Sequence, residues 1–460
     1  MHSRHIRFLG LLLVCALAAV CLAAQTPQYV SFSAAQPVLQ AYQNSLPAAL
    51  KPSGHPTAAA WDKWVRSEDE RIRARLERGL EDSLSNLLRQ GVTYTKQAQI
   101  SFVSLERYGD DKDVDSLANK RADDLIRALA APHPSEGMAE MRAFLEKRGF
   151  NLKTREGQAK VKAYMLANLA RMRDEVLRTV KEVYEKKGAN LSQQFKDRGI
   201  STDSNLSPDY LIDLHLRHMM AQGLLKPGSV HRVAIVGPGL DFVNKNSGSD
   251  FYPPQTTQPF AVIDTLARLG LADPATVDVE TFDISSRVNE HLARARKQAE
   301  AGRWYTIQLL SSPSDKWNQN YSTGFLEYWQ DLGQEVGKPA PKIPVPAAAG
   351  NIWNRAVSVR PAVVLRVVPV DMNVVYQSLP LPSDKQFDLV IGTNIFVYYG
   401  SLEQSLARAN LGTMIKPGGF LISDEYLPNS APSKLVDSLE SKVVVSPWDT
   451  DIMYSYLRQK

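Results

Sequence analysis

Glycine-rich and acidic segments follow predicted strands in the second half of the chain, the position where α/β proteins bind ligands. Gly237-Pro238-Gly239 directly follows a strand predicted at Val230 to Val236. Glycines at this point let the backbone approach a ligand closely. Asp283 ends a strand predicted at Val277 to Phe282, where a carboxylate accepts both hydroxyls of a ribose. These residues predict a crevice for a nucleotide-like cofactor.

The same half of the chain alternates strands with helices. A third predicted strand, Ala362 to Val370, ends at Asp371-Met372, and a fourth, Leu389 to Gly392, continues into Thr393-Asn394. Alternation of this kind predicts an α/β domain with a doubly wound, mostly parallel sheet. The other predicted elements are helices at 286–301 and 402–414, a fifth strand at 421–423, and closing antiparallel strands at 442–445 and 452–457.

The first half is helical by its pattern, because apolar residues recur there at spacings of three and four. We expect an all-α N-terminal domain at residues 58–206, preceded by a poorly ordered lead-in at 25–57 with one short helix. The apolar stripes fit core packing, and a partner-binding or membrane-surface helix is the alternative. The predicted helices cover 58 to a stop at Gly91, 114–129, 135–147, 155–187, and Ser207-Pro208 to a stop at Gly223.

The N-terminus has the three-part plan of a secretory signal peptide, predicted at residues 1–24. A basic start precedes an unbroken apolar run from Phe8 to Ala24. As a helix the run would span roughly 26 Å, short of the ~30 Å hydrocarbon core, which favours cleavage. We expect an exported protein, periplasmic or secreted, or one anchored by an uncleaved segment. A misassigned start codon and a lipid anchor at Cys21 are the alternatives.

Composition narrows the function further. The 460 residues are 44% hydrophobic and 22% charged, ordinary for two or three globular domains. The net charge of +5 is spread through mixed-sign segments, so no nucleic-acid partner is predicted. Both cysteines, Cys15 and Cys21, lie in the apolar N-terminal run. A processed chain would therefore have no disulfide or thiolate nucleophile.

The sequence predicts no metal site, and no membrane span outside the N-terminal segment. His215 and His218 lie three apart on one helix, a spacing compatible with a metal pair. Neither a carboxylate nor another histidine completes a ligand set nearby, so we expect no metal. Beyond the N-terminal segment we expect no stable membrane span.

Residues 379–425, which read LPLPSDKQFDLVIGTNIFVYYGSLEQSLARANLGTMIKPGGFLISDE, resemble the second half of a class I S-adenosylmethionine-dependent methyltransferase. Phe387-Asp388 before a buried strand is typical of that family, as is a helix leading to Lys416-Pro-Gly-Gly and another strand. Residues 394–399 are similar to methyltransferases that act on chemotaxis receptors. The resemblance covers about Ser207 to Lys460. It implies a Rossmann-like sheet, S-adenosylmethionine as cofactor, and methyl transfer to an unidentified acceptor.

The resemblance assigns cofactor-binding residues. Gly237-Pro238-Gly239 matches the glycine loop that passes under the methionine part of the cofactor. Asp283 matches the acid that binds the ribose. Asp371 and Met372 match the pair beside the adenine, where the acid accepts from the adenine amino group.

The fourth strand supplies the catalytic candidates. Asn394 lies where that strand of the family meets cofactor and substrate, so it is also a cofactor-binding candidate. Methyl transfer depends on alignment more than on acid–base chemistry, so the sequence identifies no catalytic residue strongly. The nearest candidates are Asn394, Tyr398 and Tyr399. Asp388 is expected to fix local geometry.

The sequence departs from the family at the glycine loop. Ile235 stands where the family has an acidic residue, two positions before the first glycine, and Asp241 replaces the third glycine. Loss of one charge-assisted hydrogen bond would cost roughly 1.5–3 kcal/mol. That is about tenfold to a hundredfold in affinity. Asp241 is a candidate to supply the missing charge, and hence a cofactor-binding residue.

Two insertions separate the elements of the predicted sheet. The first, at residues 240–258, is either a surface decoration or a lid that binds substrate and completes the cofactor site. The second, at 302–361, is rich in aromatic residues, which either line a substrate cleft or form the core of the insertion. Its aromatic residues include Trp304, Tyr305, Trp317, Tyr321, Tyr328, Trp329 and Trp353.

Three functions therefore remain open from the sequence. The first is a working methyltransferase, although an exported protein would be separated from a cytoplasmic cofactor. The second is an exported, non-catalytic methyltransferase fold used as a binding or interaction module, which Ile235 favours. The third is an enzyme that uses the same crevice for a different nucleotide-like ligand.

Overall fold

The computed structural model describes residues 26–100, 111–185, 199–202, 204, 206–241, 250–311, 323–350, 352–446 and 449–460. The predicted signal peptide lies outside these residues, as do Trp317 and Tyr321 of the second insertion. Among the residues that are described, no helix combines the length and apolar character that a membrane span requires.

The helices and strands occur in the following order. The first half contains β1 (Gln28–Tyr29), α1 (Phe32–Ala41), α2 (Ala58–Gln90), α3 (Asp111–Ala130), α4 (Glu136–Lys147), α5 (Arg155–Glu185) and α6 (Ser207–Ala221). The second half contains β2 (Arg232–Val236), α7 (Gln258–Arg268), β3 (Asp278–Asp283), α8 (Ser286–Glu300), β4 (Tyr305–Ser311), α9 (Thr323–Asp331), β5 (Gly337–Ala340), β6 (Trp353–Val359), α10 (Pro361–Val364), β7 (Val367–Asp371), β8 (Gln377–Ser378), β9 (Phe387–Gly392), α11 (Ser401–Met414), β10 (Ile415–Ser423), β11 (Leu435–Ser446) and β12 (Asp449–Arg458).

A seven-stranded sheet organises the second half. Its strand order is β7-β3-β2-β9-β10-β12-β11, which is 3-2-1-4-5-7-6 when the seven strands are counted along the chain. The first five strands pair in parallel, and β12 runs antiparallel between β10 and β11. The chain therefore winds outward from β2 in both directions, as the alternation of strands and helices predicts.

Both faces of the sheet are covered. Val233 and Ile235 of β2 pack into one core with α6, α7 and α8. Ala234 and Val236 point to the opposite face and pack into a second core with α1, α11 and the first half of α2. Successive residues of a strand face opposite sides, so a strand covered on both faces is apolar throughout.

The predicted limits of the third strand, the fifth strand and the two closing strands were wrong. The third strand begins at Val367 and not at Ala362. Residues 361–364 form the short helix α10 instead, because proline is favoured in the first turn of a helix and Pro361 occupies that position. The fifth strand begins at Ile415 and carries Lys416-Pro-Gly-Gly within it, at a shift in register. The closing strands are longer than predicted, because they pair with each other along most of their length.

Helices α2 to α5 bring their apolar stripes together in a third core. Helix α2 takes part in two cores, with Trp61, Trp64 and Ile72 in the second and Leu84 and Leu87 in the third. Thr57 caps its first turn by accepting from the amide of Ala60, and Gly91 ends it, as the sequence predicts.

The expectation of a poorly ordered lead-in was wrong for residues 26–57. This segment forms β1, which pairs with β8, and helix α1, which begins at the cap residue Ser31. The side chains of Val38 and Leu39 are buried in the second core, and the indole N–H of Trp61 donates to the carbonyl of Val30 at 2.7 Å. Tertiary contacts supply an order that local periodicity does not reveal.

The second insertion has a fold of its own, a three-stranded antiparallel sheet in the order β4-β6-β5, with α9 between β4 and β5 in the chain. Tyr328 and Trp329 are buried in the first core, whereas Trp304 and Trp353 are 41% and 47% exposed. The described aromatic residues that are buried thus belong to a packed core.

Candidate functional site

A crevice lies where the carboxyl ends of β2, β3 and β7 meet. Gly237 donates its amide to the carbonyl of Phe282, and the amide of Met372 donates to the carbonyl of Asp283 at 3.3 Å, so the three strand ends are adjacent. The long helix α2 and residues 200–202 cover the crevice from the other side. Its walls are formed by Leu76, Ile200, Ser201, Thr202, Val236, Gly237, Gly239, Phe282, Asp283, Ile284, Met372, Asn373, Val374, Ile395, Tyr398 and Tyr399.

Asp283 is the acidic group of the crevice wall. Only 8% of the residue is exposed, and its Oδ1 accepts from the amide of Ser285 at 2.7 Å. Burial raises its pKa to about 7, with a further contribution from the nearby Asp371 carboxylate and an opposing one from Arg73. A carboxyl group at this position titrates close to neutral pH, so a modest change in its surroundings decides whether it is ionised.

Asp371 lies directly beside Asp283 in the sheet register. It does not line the crevice but stands at its rim, where its Oδ1 accepts from Nη1 of Arg73 at 2.7 Å. The same Nη1 donates to the carbonyl of Ile284 at 3.3 Å. Arg73 belongs to α2, and its role could not be predicted because it is one of many charged residues on that helix.

Asp69 holds Arg73 in place. This carboxylate is buried, and its Oδ1 accepts from Nε of Arg73 at 3.2 Å and from the amide group of Asn373 at 2.7 Å. Its Oδ2 accepts from the hydroxyl of Tyr29 at 2.8 Å. Because the partners of Asp69 come from β1, α2 and the segment after β7, Arg73 is fixed from three directions.

Both glycines of the loop after β2 have left-handed backbones, with φ of 64° at Gly237 and 73° at Gly239. A side chain at Gly237 would lie 2.1 Å from Cδ1 of Ile395. One at Gly239 would lie 2.7 Å from Cβ of Ser204 and 3.0 Å from the carbonyl oxygen of Thr202. In this structure, the space beside each glycine is therefore occupied by other residues of the protein.

The crevice is narrow. Its empty space is about 500 Å³ including the solvent-open side, but only about 50 Å³ admits a water-sized group. Small-molecule sites have volumes of about 300–1,000 Å³, so the crevice is small for a nucleotide-like ligand. An adenosyl group could enter only if Ile395 or residues 200–202 moved aside.

Three further predicted residues lie outside the crevice wall. Pro238 is buried within the glycine loop. Asp241 accepts from the hydroxyls of Ser204 and Thr257 and faces a smaller neighbouring cavity, so the structure does not place its charge where Ile235 leaves one missing. Asn394 is exposed.

Asn394 has a strained backbone at the end of β9. Its φ of 58° is left-handed, which is uncommon for a residue other than glycine. Its amide donates to Oδ2 of Asp424 at 2.7 Å, and burial raises the pKa of Asp424 to about 7. Tyr398 and Tyr399 do line the crevice, and burial raises the pKa of Tyr399.

Asp388 has a structural role, as expected. Its Oδ2 accepts from the amides of His231 and Arg232 at 2.7 and 2.8 Å, and Oδ1 contacts the ammonium of Lys416. It thereby ties the start of β2 to β9 and β10, at the opposite end of the strands from the crevice.

The first insertion connects the crevice region to the helical half. Residues 242–249 lie outside the described part of the chain. Asp250 accepts from the amides of Val92 and Thr93 at 2.8 and 3.3 Å and from the Thr93 hydroxyl at 2.7 Å. The end of this loop is thus attached to the segment that follows α2.

The two histidines of α6 share a partner. Nδ1 of His215 and Nδ1 of His218 lie 2.8 and 2.7 Å from the hydroxyl of Ser441. Burial, followed by the neighbouring His218, lowers the pKa of His215 to about 4. Within the described ranges, no group of three or more histidine, cysteine or acidic side chains is arranged to hold a metal.

The strand order defines the class of fold. A parallel order of 3-2-1-4-5 is doubly wound, with its ligand crevice at the carboxyl ends of the central strands. The antiparallel pair 7-6 after the fifth strand completes the sheet of class I S-adenosylmethionine-dependent methyltransferases. The α/β half of the chain therefore has the class I methyltransferase fold.

No protein-family model matches the sequence, and no curated protein is significantly similar to it. Among solved structures, the chain is similar to the N-methyltransferase NodS from Bradyrhizobium japonicum WM9 in complex with S-adenosyl-l-homocysteine, at 11% identity over 59% of this chain and 100% of that chain, with a TM-score of 0.28. It is also similar to magnesium protoporphyrin IX methyltransferase (ChlM) from Synechocystis PCC 6803 with bound SAM, at 13% identity over 62% and 97% of the two chains, with a TM-score of 0.25. The assignment of the fold rests on the strand order and not on these values.

Proposed function

We propose that the protein is an S-adenosylmethionine-dependent methyltransferase that acts on an unidentified acceptor. The observation that carries the proposal is the pairing of Asp283 and Asp371 at the carboxyl ends of adjacent strands, beside a glycine loop. In the class I fold, these are the positions of the acids that bind the ribose and the adenine.

The residues of the crevice fit such a cofactor in their chemistry. Asp283 would accept the ribose hydroxyls, and Asp371 the adenine amino group. Phe282, Val374 and Leu76 supply apolar walls for a flat base. A bound cofactor would supply a sulfonium methyl group for transfer to an acceptor lone pair, with S-adenosylhomocysteine as the leaving thioether.

The protein's part in that reaction is alignment. Tyr398 and Tyr399, in the segment that follows β9, line the crevice, and we propose that they face the acceptor. A buried tyrosine whose pKa is raised stays protonated and can donate a hydrogen bond. We therefore assign Tyr399 an orienting role and not that of a base.

A calorimetric titration of the purified protein with S-adenosylhomocysteine tests the proposal. We expect micromolar binding that is lost in Asp283→Ala, because the ribose hydroxyls would lose their acceptor. Wild-type protein that is folded but releases no heat at millimolar ligand would contradict the enzyme proposal.

The competing function is a non-catalytic methyltransferase fold used as an interaction module. Two observations favour it: Ile235 replaces the family acid and is fully buried, and the glycine loop is already contacted by Ile395 and Ser204. This function would be supported over the first if the folded wild-type protein did not bind the cofactor and the Asp283→Ala variant gave the same titration result as the wild type.

We also propose that residues 58–206 form an all-α domain and that the protein is exported. The shared apolar core of α2 to α5 supports the first proposal, and the N-terminal sequence pattern supports the second. N-terminal sequencing of protein recovered from cell fractions tests export. A start near Gln25 outside the cytoplasm is the expected result, and an intact Met1 in the cytoplasm would contradict it.

A further inference from the structure

A cation that influences both acids of the nucleoside crevice comes from outside the methyltransferase fold. Arg73 is carried by α2, and its Nη1 joins the Asp371 carboxylate to the carbonyl of Ile284, the residue directly after Asp283. It therefore bridges the ends of β3 and β7, between which the nucleoside half of a cofactor would lie.

Buried hydrogen-bond partners hold the side chain of Arg73 in its position. Asp69 accepts from its Nε and is itself buried and bound by Asn373 and Tyr29. An arginine whose guanidinium is fixed at one edge loses less conformational entropy when it binds at the other. An arginine that served only as a surface charge would not need such support.

We propose that Arg73 is a positioning residue for the nucleoside half of the cofactor, because it fixes the Asp371 carboxylate and balances the charge of Asp371 and Asp283. This inference rests on the proposed function. It gives the helical half a defined part in cofactor binding, since α2 supplies a cation beside the two acids of the crevice.

The charges around Asp283 determine the effect of losing Arg73. Asp371 on β7 and Asp69 on α2 are acidic, Tyr399 after β9 is buried nearby, and Arg73 is the cation whose influence lowers the pKa of Asp283. Without Arg73, Asp283 would bind its proton more tightly. A protonated carboxyl accepts ribose hydroxyls less well, so cofactor affinity would become more dependent on pH.

The experiment compares Arg73→Gln, Arg73→Lys and the control Arg71→Gln. Arg71 lies on the same helix, but its side chain is 51% exposed and pairs with Glu68 and Glu403, away from the crevice. Calorimetry with S-adenosylhomocysteine and with methylthioadenosine is run from pH 6 to pH 9. Circular dichroism and thermal unfolding establish that each variant is folded.

At pH 7 we expect Arg73→Gln to bind both ligands about tenfold or more weakly, since one charge-assisted contact is lost. The loss should shrink toward pH 9, where Asp283 is ionised in both proteins. Arg73→Lys should recover part of the affinity, and Arg71→Gln should match the wild type. An equal factor for the two ligands places the effect at the nucleoside half, which they share.

Several outcomes would overturn the inference. Wild-type protein that binds while Arg73→Gln binds equally well, with the same pH profile, removes Arg73 from the site and leaves the proposed function intact. Tighter binding by Arg73→Gln would identify Arg73 as a competitor for Asp371. If folded wild-type protein binds neither ligand, the proposed function fails and the inference fails with it.

Discussion

Asp283 combines two demands that conflict at the level of a single residue. A ribose-binding carboxylate has to be ionised and accessible to its ligand, but burial at the end of β3 raises its pKa to about 7. Its folded-state pKa lies above the unfolded value of 3.8, so the folded state retains a proton that the unfolded state has lost. The contribution of this residue to stability is therefore lost as the pH rises from about 4 to about 7.

Asp283→Asn should remove this pH dependence. We expect the variant to be more stable than the wild type by roughly 1–3 kcal/mol at pH 8 and similar to it at pH 4, because no charge has to be buried. Urea unfolding at the two pH values measures the difference. The same pH slope in both proteins would show that Asp283 is ionised at little cost.

Gly237 is constrained by both its backbone and its surroundings. Gly237→Ala should lower the free energy of unfolding by about 1–3 kcal/mol, since the new methyl group would meet Ile395 in a left-handed backbone. Gly228→Ala is the matched control, because its φ of 67° is similar and nothing lies within 4 Å of an added Cβ. Equal losses in the two variants would mean that only the backbone matters at Gly237.

Among single residues, the sequence predicted those whose positions follow from the strand pattern of the fold. Gly237, Gly239 and Asp283 follow directly from their positions after strands, and all three line the crevice. The roles of Asp241 and Arg73 could not be predicted from their positions relative to strands. Their surroundings are set by residues 37 and 298 positions distant, as in the contacts Ser204–Asp241 and Arg73–Asp371.

Among the elements, α3 shows how one side chain can fix a loop. Arg121 is fully buried and donates to the carbonyls of Leu88, Gly91, Gln97 and Ala98. It thereby holds residues 91–98 against the helix. Without Arg121, the carbonyl of the buried Gly91 would lose this hydrogen bond.

Arg121→Met should therefore destabilise the protein by about 3 kcal/mol or more, although methionine fills much of the same volume. Arg127→Met on the same helix is the control. The Arg127 side chain is 70% exposed, so its ion pair with Asp124 should contribute under about 1 kcal/mol. Similar losses in chemical denaturation would contradict the role given to Arg121.

The long helices could be predicted from the sequence, whereas the short strands that depend on distant pairing partners could not. The limits of α2 and α11 follow from caps and apolar spacing. Strand β1 has two residues and exists because β8 lies beside it, and β4 to β6 form a sheet inside an insertion that the sequence marked only by its aromatic residues. Pairing partners far apart in sequence leave no local signal.

On the scale of the whole molecule, α2 joins the helical half to the sheet. It is 33 residues long, about 50 Å at 1.5 Å per residue. Its first half is buried against the sheet, and its second half against α3 and α5. The doubly wound order of the second half was predictable from alternation, but this shared helix was not.

Because the two cores share one helix, they should unfold together. None of the seven tryptophans lies between residues 65 and 303, and Trp61, Trp64 and Trp329 are buried in the two cores that cover the sheet. The fluorescence of these three residues therefore reports on the sheet and not on the third core. Ile72→Ala should destabilise the protein by about 2–5 kcal/mol, and hydrogen exchange in α5 should accelerate with it. Unchanged protection of α5 would show that the helical half is independent.

The contacts of the N-terminal segment also determine when the protein can finish folding. The amide of Val30 donates to Tyr376, and the hydroxyl of Tyr42 to Ser401, 359 positions later in the chain. During synthesis, the apolar residues of α1 and of the first half of α2 have no surface to cover them until almost the whole chain has left the ribosome. Such high contact order slows folding. The first helices of the chain therefore reach their final packing only after the segments near its end have been made.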